Sequence, residues 1–451
     1  MDMCEGPLFK KIVLYTIPII LTSVIQLLFN AADLVVVGRF RGSVAVGAIG
    51  ATGSIVNLIV NLFIGLSVGA GVAVAQGIGA EDKEHVHRTV HTAMPAALIS
   101  GVLLTFIGVL GSEQFLEWMD TPGDVIGLSA VYMRIYFCGI TANMVYNFGA
   151  AILRAAGDTR GPLIYLSLAG ILNVVLNIFF VIVFQMSVEG VALATVISQL
   201  LSAVLVVIAL MKRQDACRFQ PKMMHIYKRP LLQMVRVGLP AGIQGSIFSI
   251  SNVLIQSSIN SFGKIAMSGN AAAGNIEGFV YVAMNAFHQT ALNFTGQNYG
   301  AKKFKRITRI MLISLACVFT VGLVLGLSAY IFSKPLLSIY ITDSAEAIEY
   351  GILRLAYVAV PYCLCGIMDV MTGLMRGMGS SIAPMLISII GVCGFRIGWI
   401  MTIFQIPAYH TLPYLYISYP ISWSATFIVQ IVAYIIITKM RNRRYAINTK
   451  S

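Results

Sequence analysis

Charge is what this chain lacks most. Of its 451 residues only 11% are Asp, Glu, Lys or Arg, against roughly 25% in an average soluble domain. Hydrophobic residues make up 58%, more apolar surface than a soluble fold can keep from water. A soluble enzyme and a disordered chain are both excluded. So is an outer-membrane barrel, whose strands alternate around a polar interior. Cysteine is sparse: seven residues, most inside apolar runs, which read as small buried hydrophobes rather than a disulfide scaffold. Cys363 and Cys365 form Cys-x-Cys, a spacing that sends the two thiols to different helix faces. The sequence has no G-x-x-x-x-G-K-[ST], so ATP is not the direct energy source. It also has no H-E-x-x-H and no G-x-S-x-G, and no enzyme activity is expected. The first apolar run holds Asn30 and Asp33 and lacks an A-x-A site, so no cleavable signal peptide is expected.

What is present is long apolar runs. A membrane span needs about 20 residues. Twelve segments qualify: 12–37, 44–75, 93–111, 126–151, 162–184, 188–211, 234–261, 266–296, 308–332, 347–372, 382–404 and 412–438. The 31 Lys and Arg exceed the 18 Asp and Glu, for a net +13. In a soluble protein that excess would suggest nucleic acid; here it sorts by side, and no nucleic-acid partner is expected. Twenty-four of the basic residues fall on the side of the N-terminus, 4 on the other, and Arg134, Arg354 and Arg396 lie within spans. Basic loops stay in the cytoplasm. The expectation is a multi-pass protein of the cell (inner) membrane with both termini cytoplasmic.

The longest hydrophilic loop, 212–233, divides the spans six and six. Shifting the first half by 222 residues brings Pro18 onto Pro240 and Asn30 onto Asn252. The same shift lays Leu153-Arg154-x-x-Gly157 on Met375-Arg376-x-x-Gly379. At 221, Gln76-x-x-Gly79-Ala80 meets Gln297-x-x-Gly300-Ala301, and at 220 Arg134 meets Arg354. Each half has an even number of spans, so both face the same way. The expected fold is all-α and polytopic: twelve transmembrane helices in two six-helix lobes, 1–211 and 234–451, related by an axis along the membrane normal. Residues 212–233 form a cytoplasmic linker. Such lobes, with substrate bound between them, are a transporter plan. The repeated glycine motifs, at the ends of the second and fourth spans of each lobe, read as hinges or gates.

These landmarks, with Pro18, Gln26, Asp33 and Gly38-Arg39 on the first span, resemble the multidrug and toxic compound extrusion (MATE) family over nearly the whole chain. The resemblance implies a secondary active antiporter. It would export amphipathic, often cationic, organic compounds in exchange for H⁺ or Na⁺, with no cofactor. It also implies an ion-coupling site. Asp33 matches the acidic residue of the branch with a span 1 aspartate. Asn173-x-x-x-Asn177 on span 5 and Thr195 on span 6 match the rest, with Tyr132 on span 4 a softer match. The family has Asp where this chain has Asn177. Another branch carries Glu on span 7, at the position of Phe248 here, so that cation site is absent.

A carboxylate inside a membrane is costly and is by default a functional hypothesis. Asp33, Asn173, Asn177 and Thr195 offer hard oxygen ligands that suit Na⁺ as well as a proton. The structural alternative for Asp33 is an ion pair with Arg134. Glu277 lies near mid-membrane on span 8 and Asp369 near the cytoplasmic end of span 10. With Gln26, Asn30, Asn252 and His288 they are candidates for a substrate or second ion site. The structural alternative for Glu277 is a salt bridge to Arg396. Arg134, Arg354 and Arg396 read as buried structural charges, the first two lobe-symmetric. His85, His87 and His91, with Glu84, fall in a charged cytoplasmic segment without a closed ligand set, so no metal site is expected. The rival function is flipping of lipid-linked saccharides or lipids on a related two-lobe plan, which would call for more buried Arg and Lys. The expected partners are small-molecule substrates and the lipid bilayer, around a monomer.

Overall fold

The computed structural model describes residues 1–448 except Asp120, Pro122 and Asp343. The last three residues of the 234–451 lobe lie outside the described residues. Every regular element described is helical. In chain order they are α1 (Leu8–Arg41), α2 (Ser43–Gly79), α3 (Lys83–Trp118), α4 (Gly123–Cys138), α5 (Ile140–Ala155), α6 (Arg160–Ile178) and α7 (Val188–Lys212). Then come α8 (Lys228–Asn260), α9 (Lys264–Gly300), α10 (Phe304–Ile331), α11 (Ser333–Ser338), α12 (Ala345–Arg354) and α13 (Tyr362–Gly377). The last four are α14 (Ile382–Ser388), α15 (Phe395–Met401), α16 (Leu412–Tyr416) and α17 (Ser418–Asn448).

Among the described residues, nine helical segments are long and apolar enough to cross a membrane. Two more spans are bent: α4 and α5 turn by 47°, and the stretch from α12 to α13 turns by 41°. The twelfth is α9. Its 37 residues reach about 55 Å at 1.5 Å per residue, but Asn270, Asn275, Glu277, Asn285 and His288 lower its apolarity. The chain is thus a polytopic helical membrane protein of twelve spans in two sets of six.

The internal repeat is visible in the backbone. The bend of span 4 falls at Gly139 and that of span 10 at Pro361, 222 residues apart. Gly139 passes so close to α7 that a β-carbon would sit 2.5 Å from Val196. Pro361 cannot donate the hydrogen bond that would carry a helix through it. Beyond each bend the helix closes in the same way. Gly157 takes φ +86° and Gly379 φ +84°. The Asp158 N–H then reaches the Leu153 carbonyl at 2.9 Å, and the Ser380 N–H reaches Met375 at 3.0 Å. This is the glycine-terminated cap in which the last carbonyls are satisfied from beyond the helix end. The ends of α2 and α9 match too, with Glu81 at φ 57° and Lys302 at φ 58°.

Two compact units form. Unit 1 comprises Met1–Gly6, Val13–Ser246 and Gln297–Lys302; unit 2 comprises Pro7–Ile12, Ile247–Gly296 and Lys303–Ser451. In unit 1, α2 runs backbone-to-backbone along the first part of α8. A β-carbon on Gly65 would lie 2.3 Å from the Gly242 nitrogen, and one on Gly69 would lie 2.1 Å from the Met234 carbonyl. Small residues let helices approach this closely where apolar side chains gain nothing over lipid. Val90, Phe148, Ile152, Val206 and Leu210 pack the core of this end. In unit 2 the corresponding mass is aromatic: Phe404, Tyr416, Tyr419 and Trp423 around Ile259 and Met368.

The 212–233 linker is packed into unit 1. Cys217 and Phe219 are buried in its core, where a side chain the size of Phe contributes about 1.5–3 kcal/mol. The Gln220 N–H donates to His91 Nε2 at 3.0 Å. The His225 N–H donates to the His91 carbonyl at 3.3 Å, and the Tyr227 N–H to Thr92 Oγ1 at 3.1 Å. His91 Nδ1 lies 2.8 Å from the His87 carbonyl. Both ring nitrogens are therefore occupied, in the tautomer with Nδ1–H as donor. His85, His87 and His91 lie on helix α3 rather than in a loop. At the start of the linker burial works against the charge of Asp215. The hydrogen bond and charge of Arg213 outweigh it and hold the carboxyl below the usual carboxylate range.

Candidate functional site

Asp33 stands on α1 in register with Gln26 and Asn30, at spacings of four and three residues that share one helix face. Across from it, Asn173 and Asn177 lie one turn apart on α6, next to Thr195 on α7. The Asn177 amide donates both to the Asp33 carboxylate and to Asn173 Oδ1 at 3.3 Å. Asn173 in turn donates to Thr195 Oγ1 at 3.5 Å, and the Thr195 hydroxyl donates to the Val191 carbonyl at 2.9 Å. Asn177 is fully buried and Asn173 nearly so. The Asn177 carbonyl oxygen is buried without a donor among the described residues. Tyr132 stacks on Tyr136, centroids 6.2 Å apart, and packs on the Val37, Val181 and Val188 cluster. One turn outward, Arg41 donates to the Val181 carbonyl at 2.8 Å, tying the end of α1 to the end of span 5.

The structure thus brings Asp33, Asn177, Asn173 and Thr195 into one hydrogen-bonded chain. It does not bring Arg134 to Asp33. Arg134 is an exposed side chain, paired with Glu113 at 2.7 Å and Ser112 at 3.1 Å. The alternative of an Asp33–Arg134 ion pair therefore falls, and Arg134, expected to be buried, is exposed. Register explains both. The bends at Gly139 and Pro361 set the repeat at 222, so Arg354 falls on Tyr132, not on Arg134. A two-residue step turns a helix by about 200°, onto the opposite face.

Unit 2 holds a different arrangement. Glu277 on α9 accepts two hydrogen bonds from Arg354, at 2.9 and 2.8 Å, and both side chains are almost fully buried. The third arm of the guanidinium donates to Asn270 Oδ1 at 2.6 Å, an atom that also accepts from the Tyr416 hydroxyl at 3.2 Å. The alternative of a Glu277–Arg396 bridge falls: Arg396 lies 3.9 Å above the Tyr419 ring, beside Trp423, and donates to Ser422 at 3.0 Å. Tyr419 therefore has two guanidiniums near its ring, with Arg354 at 5.8 Å from its centroid. Cationic groups over ring faces are attracted by the ring quadrupole. His288 and Asp369 adjoin, but the 2.7 Å contact of His288 Nδ1 is to the Asp369 backbone oxygen and not to its carboxylate. The charge of Arg376, farther along α13, acts on that carboxylate. Gln26, Asn30 and Asn252 are exposed on their helices.

Sequence reasoning missed Asn270, Tyr416, Tyr419 and Trp423. The signal for the three aromatic residues was the density of 414–423, three Tyr and a Trp within ten positions.

Twelve spans built as a repeat of six, with polar groups held inside them, are the plan of a membrane transporter. The family pattern MatE matches residues 18–179 and 240–400, one copy per repeat. The chain belongs to the MatE family. It is 27% identical over 391 residues to the probable multidrug resistance protein YpnP of Bacillus subtilis, covering 86% of this chain and 87% of that one. It is 24% identical over 400 residues to the probable multidrug resistance protein NorM of Thermotoga maritima, covering 86% and 84%. A solved structure described as the outward-facing conformation of a multidrug resistance MATE family transporter of the MOP superfamily superposes with TM-score 0.90 at 23% identity. It covers 98% of both chains and is a likeness of fold.

Proposed function

We propose that this chain is a secondary active antiporter that exports amphipathic, cationic organic compounds from the cytoplasm in exchange for a cation, with Asp33 as the coupling group. The observation that carries the reading is that Asp33 is held by an amide alone: among the described residues no Lys, Arg or His pairs with it. A carboxylate already neutralised by Arg, as Glu277 is, has nothing to exchange. Asp33 is free to bind and release one.

Asn177 suits this exchange. Its amide nitrogen donates to the ionised carboxylate. Turned over, its carbonyl would accept from the protonated one, so both states find a partner. The ion can shift the transporter only by its different affinity for the two conformations. H⁺ is the reading preferred here. Na⁺ is favoured by one feature, the cluster of Asp33, Asn173, Asn177 and Thr195 oxygens. The names of the relatives, multidrug resistance proteins, support the substrate class. The excess of Lys and Arg on one side supports cytoplasmic termini in the cell membrane. Lobes bounded at 1–211 and 234–451, no cofactor and a monomeric state complete the proposal. Gln26 and Asn30, on the Asp33 face, are proposed to line a substrate path in unit 1; Asn252 is proposed as a substrate contact of unit 2.

The test is uptake of a fluorescent organic cation by proteoliposomes, driven in turn by a pH gradient and a Na⁺ gradient. Wild type is expected to respond to the pH gradient, and Asp33→Asn to lose that response while folding normally. Normal coupled transport by Asp33→Asn would overturn the assignment. Uptake driven by Na⁺ alone would replace the proton.

A further inference from the structure

The linker presents a basic and apolar surface outside the Asp33 cluster. Between Asp215 and Glu277 the sequence has no acid, while Arg218, Lys222, Lys228 and Arg229 are exposed. Among them stand three apolar side chains that a solvated loop would hide: Met223, Met224 and Ile226 are 48%, 44% and 40% exposed. Their orientation is not incidental. The hydrogen bonds from Gln220, His225 and Tyr227 to His91 and Thr92 fix this stretch on the first turns of α3.

The result is a groove of about 480 Å³ between the linker and α3, lined by Pro95, Leu98, Ile99, Met224, His225 and Ile226. Leu98 and Ile99 continue into a run of exposed apolar residues on α3, with Val102, Leu103 and Phe106. That face is turned to hydrocarbon. The groove therefore lies where the acyl region gives way to headgroups, with basic residues next to its lining along the chain: Lys222 two before Met224, and Lys228 and Arg229 two and three after Ile226. Basic segments beside the membrane attract anionic lipid.

We propose that this groove seats one anionic phospholipid of the cytoplasmic leaflet. An acyl chain lies against Leu98, Ile99, Met224 and Ile226. The headgroup phosphate lies at the rim set by Lys222, Lys228 and Arg229, with His225 at the floor. Zwitterionic lipid fits the apolar part and gains nothing from the rim.

The purified full-length protein would be examined by native mass spectrometry after exchange into phosphatidylglycerol or phosphatidylcholine. Wild type is expected to keep one more phosphatidylglycerol than Lys222→Gln/Lys228→Gln/Arg229→Gln, with affinity for that molecule about tenfold or more above the variant's. Met224→Gln/Ile226→Gln is expected to lose the same molecule. Phosphatidylcholine retention should not distinguish wild type from the charge variant. All substituted side chains are exposed, and matching thermal unfolding verifies that the variants fold. Equal retention of phosphatidylglycerol by wild type and charge variant would overturn the proposal. So would displacement of the lipid by soluble glycerol phosphate, which would make this a site for free anions.

Discussion

Gly79 lies against the carbonyl of Gln297 so closely that a β-carbon on it would stand 1.8 Å from the oxygen. The relation is reciprocal: a β-carbon on Gly300 would stand 2.0 Å from the carbonyl of Gln76. The two copies of Gln-x-x-Gly-Ala, found in sequence 221 residues apart, therefore meet each other in unit 1. The Gln297 side chain extends the contact by donating to the Ala155 carbonyl at 2.8 Å, and its oxygen accepts from the Met3 N–H at 3.4 Å.

This contact leaves no room for even one methyl group, because the obstructing atoms are backbone. Gly79→Ala or Gly300→Ala is expected to lower stability by about 1–3 kcal/mol, the usual cost of overpacking. Thermal unfolding in detergent measures it. Gly274→Ala and Gly278→Ala, where nothing lies within 4 Å of an added β-carbon, serve as controls and should unfold with wild type.

Glu277 is paired with Arg354 inside unit 2. Removing one partner of a buried ion pair strands the other charge, at about 3–5 kcal/mol. Glu277→Gln is thus expected to depress the unfolding temperature strongly, and Arg354→Gln comparably. Glu277→Gln/Arg354→Gln should recover much of the loss, since no unpaired charge remains. If both single variants unfold like wild type, the pair contributes nothing to the fold.

Asn177 tests the coupling cluster without touching the carboxylate. Asn177→Leu removes the amide that donates to Asp33 while keeping a branched side chain with the same number of heavy atoms. Coupled uptake should fall at least about tenfold, as expected when a hydrogen bond to a charged group, worth about 1.5–3 kcal/mol, is lost. Stability should change less than in Glu277→Gln, because the Asn177 carbonyl oxygen is already without a donor. Uptake at the wild-type rate would make the amide dispensable.

His91 holds the linker through its ring. His91→Phe keeps the bulk and leaves the Gln220 N–H without its acceptor, a loss of about 1 kcal/mol or more. Trypsin should then cut faster after Arg218 and Lys222. His87→Phe, on the same helix but without a bond to the linker, is the comparison. Equal cleavage of wild type and His91→Phe would show that the ring does not hold the linker, leaving that to Cys217, Phe219 and the bonds to the His91 carbonyl and Thr92.

The sequence by itself determined the twelve spans, the division into two repeats and the positions of the backbone caps. Each is written in a local code. Apolar length sets a span, Pro and Gly set bends and helix ends, and a fixed offset carries them from one half to the other. Asp33, Asn173, Asn177 and Thr195 were legible as a set through resemblance, since each sits in a motif. Partner choice was not legible. Arg134 and Arg354 look equivalent at an offset of 220, and only the tertiary register, set at 222 by Gly139 and Pro361, turns one outward to Glu113 and the other inward to Glu277. A Glu277–Arg396 bridge was one of two readings because depth along a helix can be counted from sequence. The azimuth of Arg396 against neighbouring helices cannot, and that azimuth gave it the rings of Tyr419 and Trp423 instead. The linker likewise read as a hydrophilic tether from its charge. Its burial of Cys217 and Phe219, and its capture by His91, depend on contacts about 130 residues apart, which no local pattern specifies.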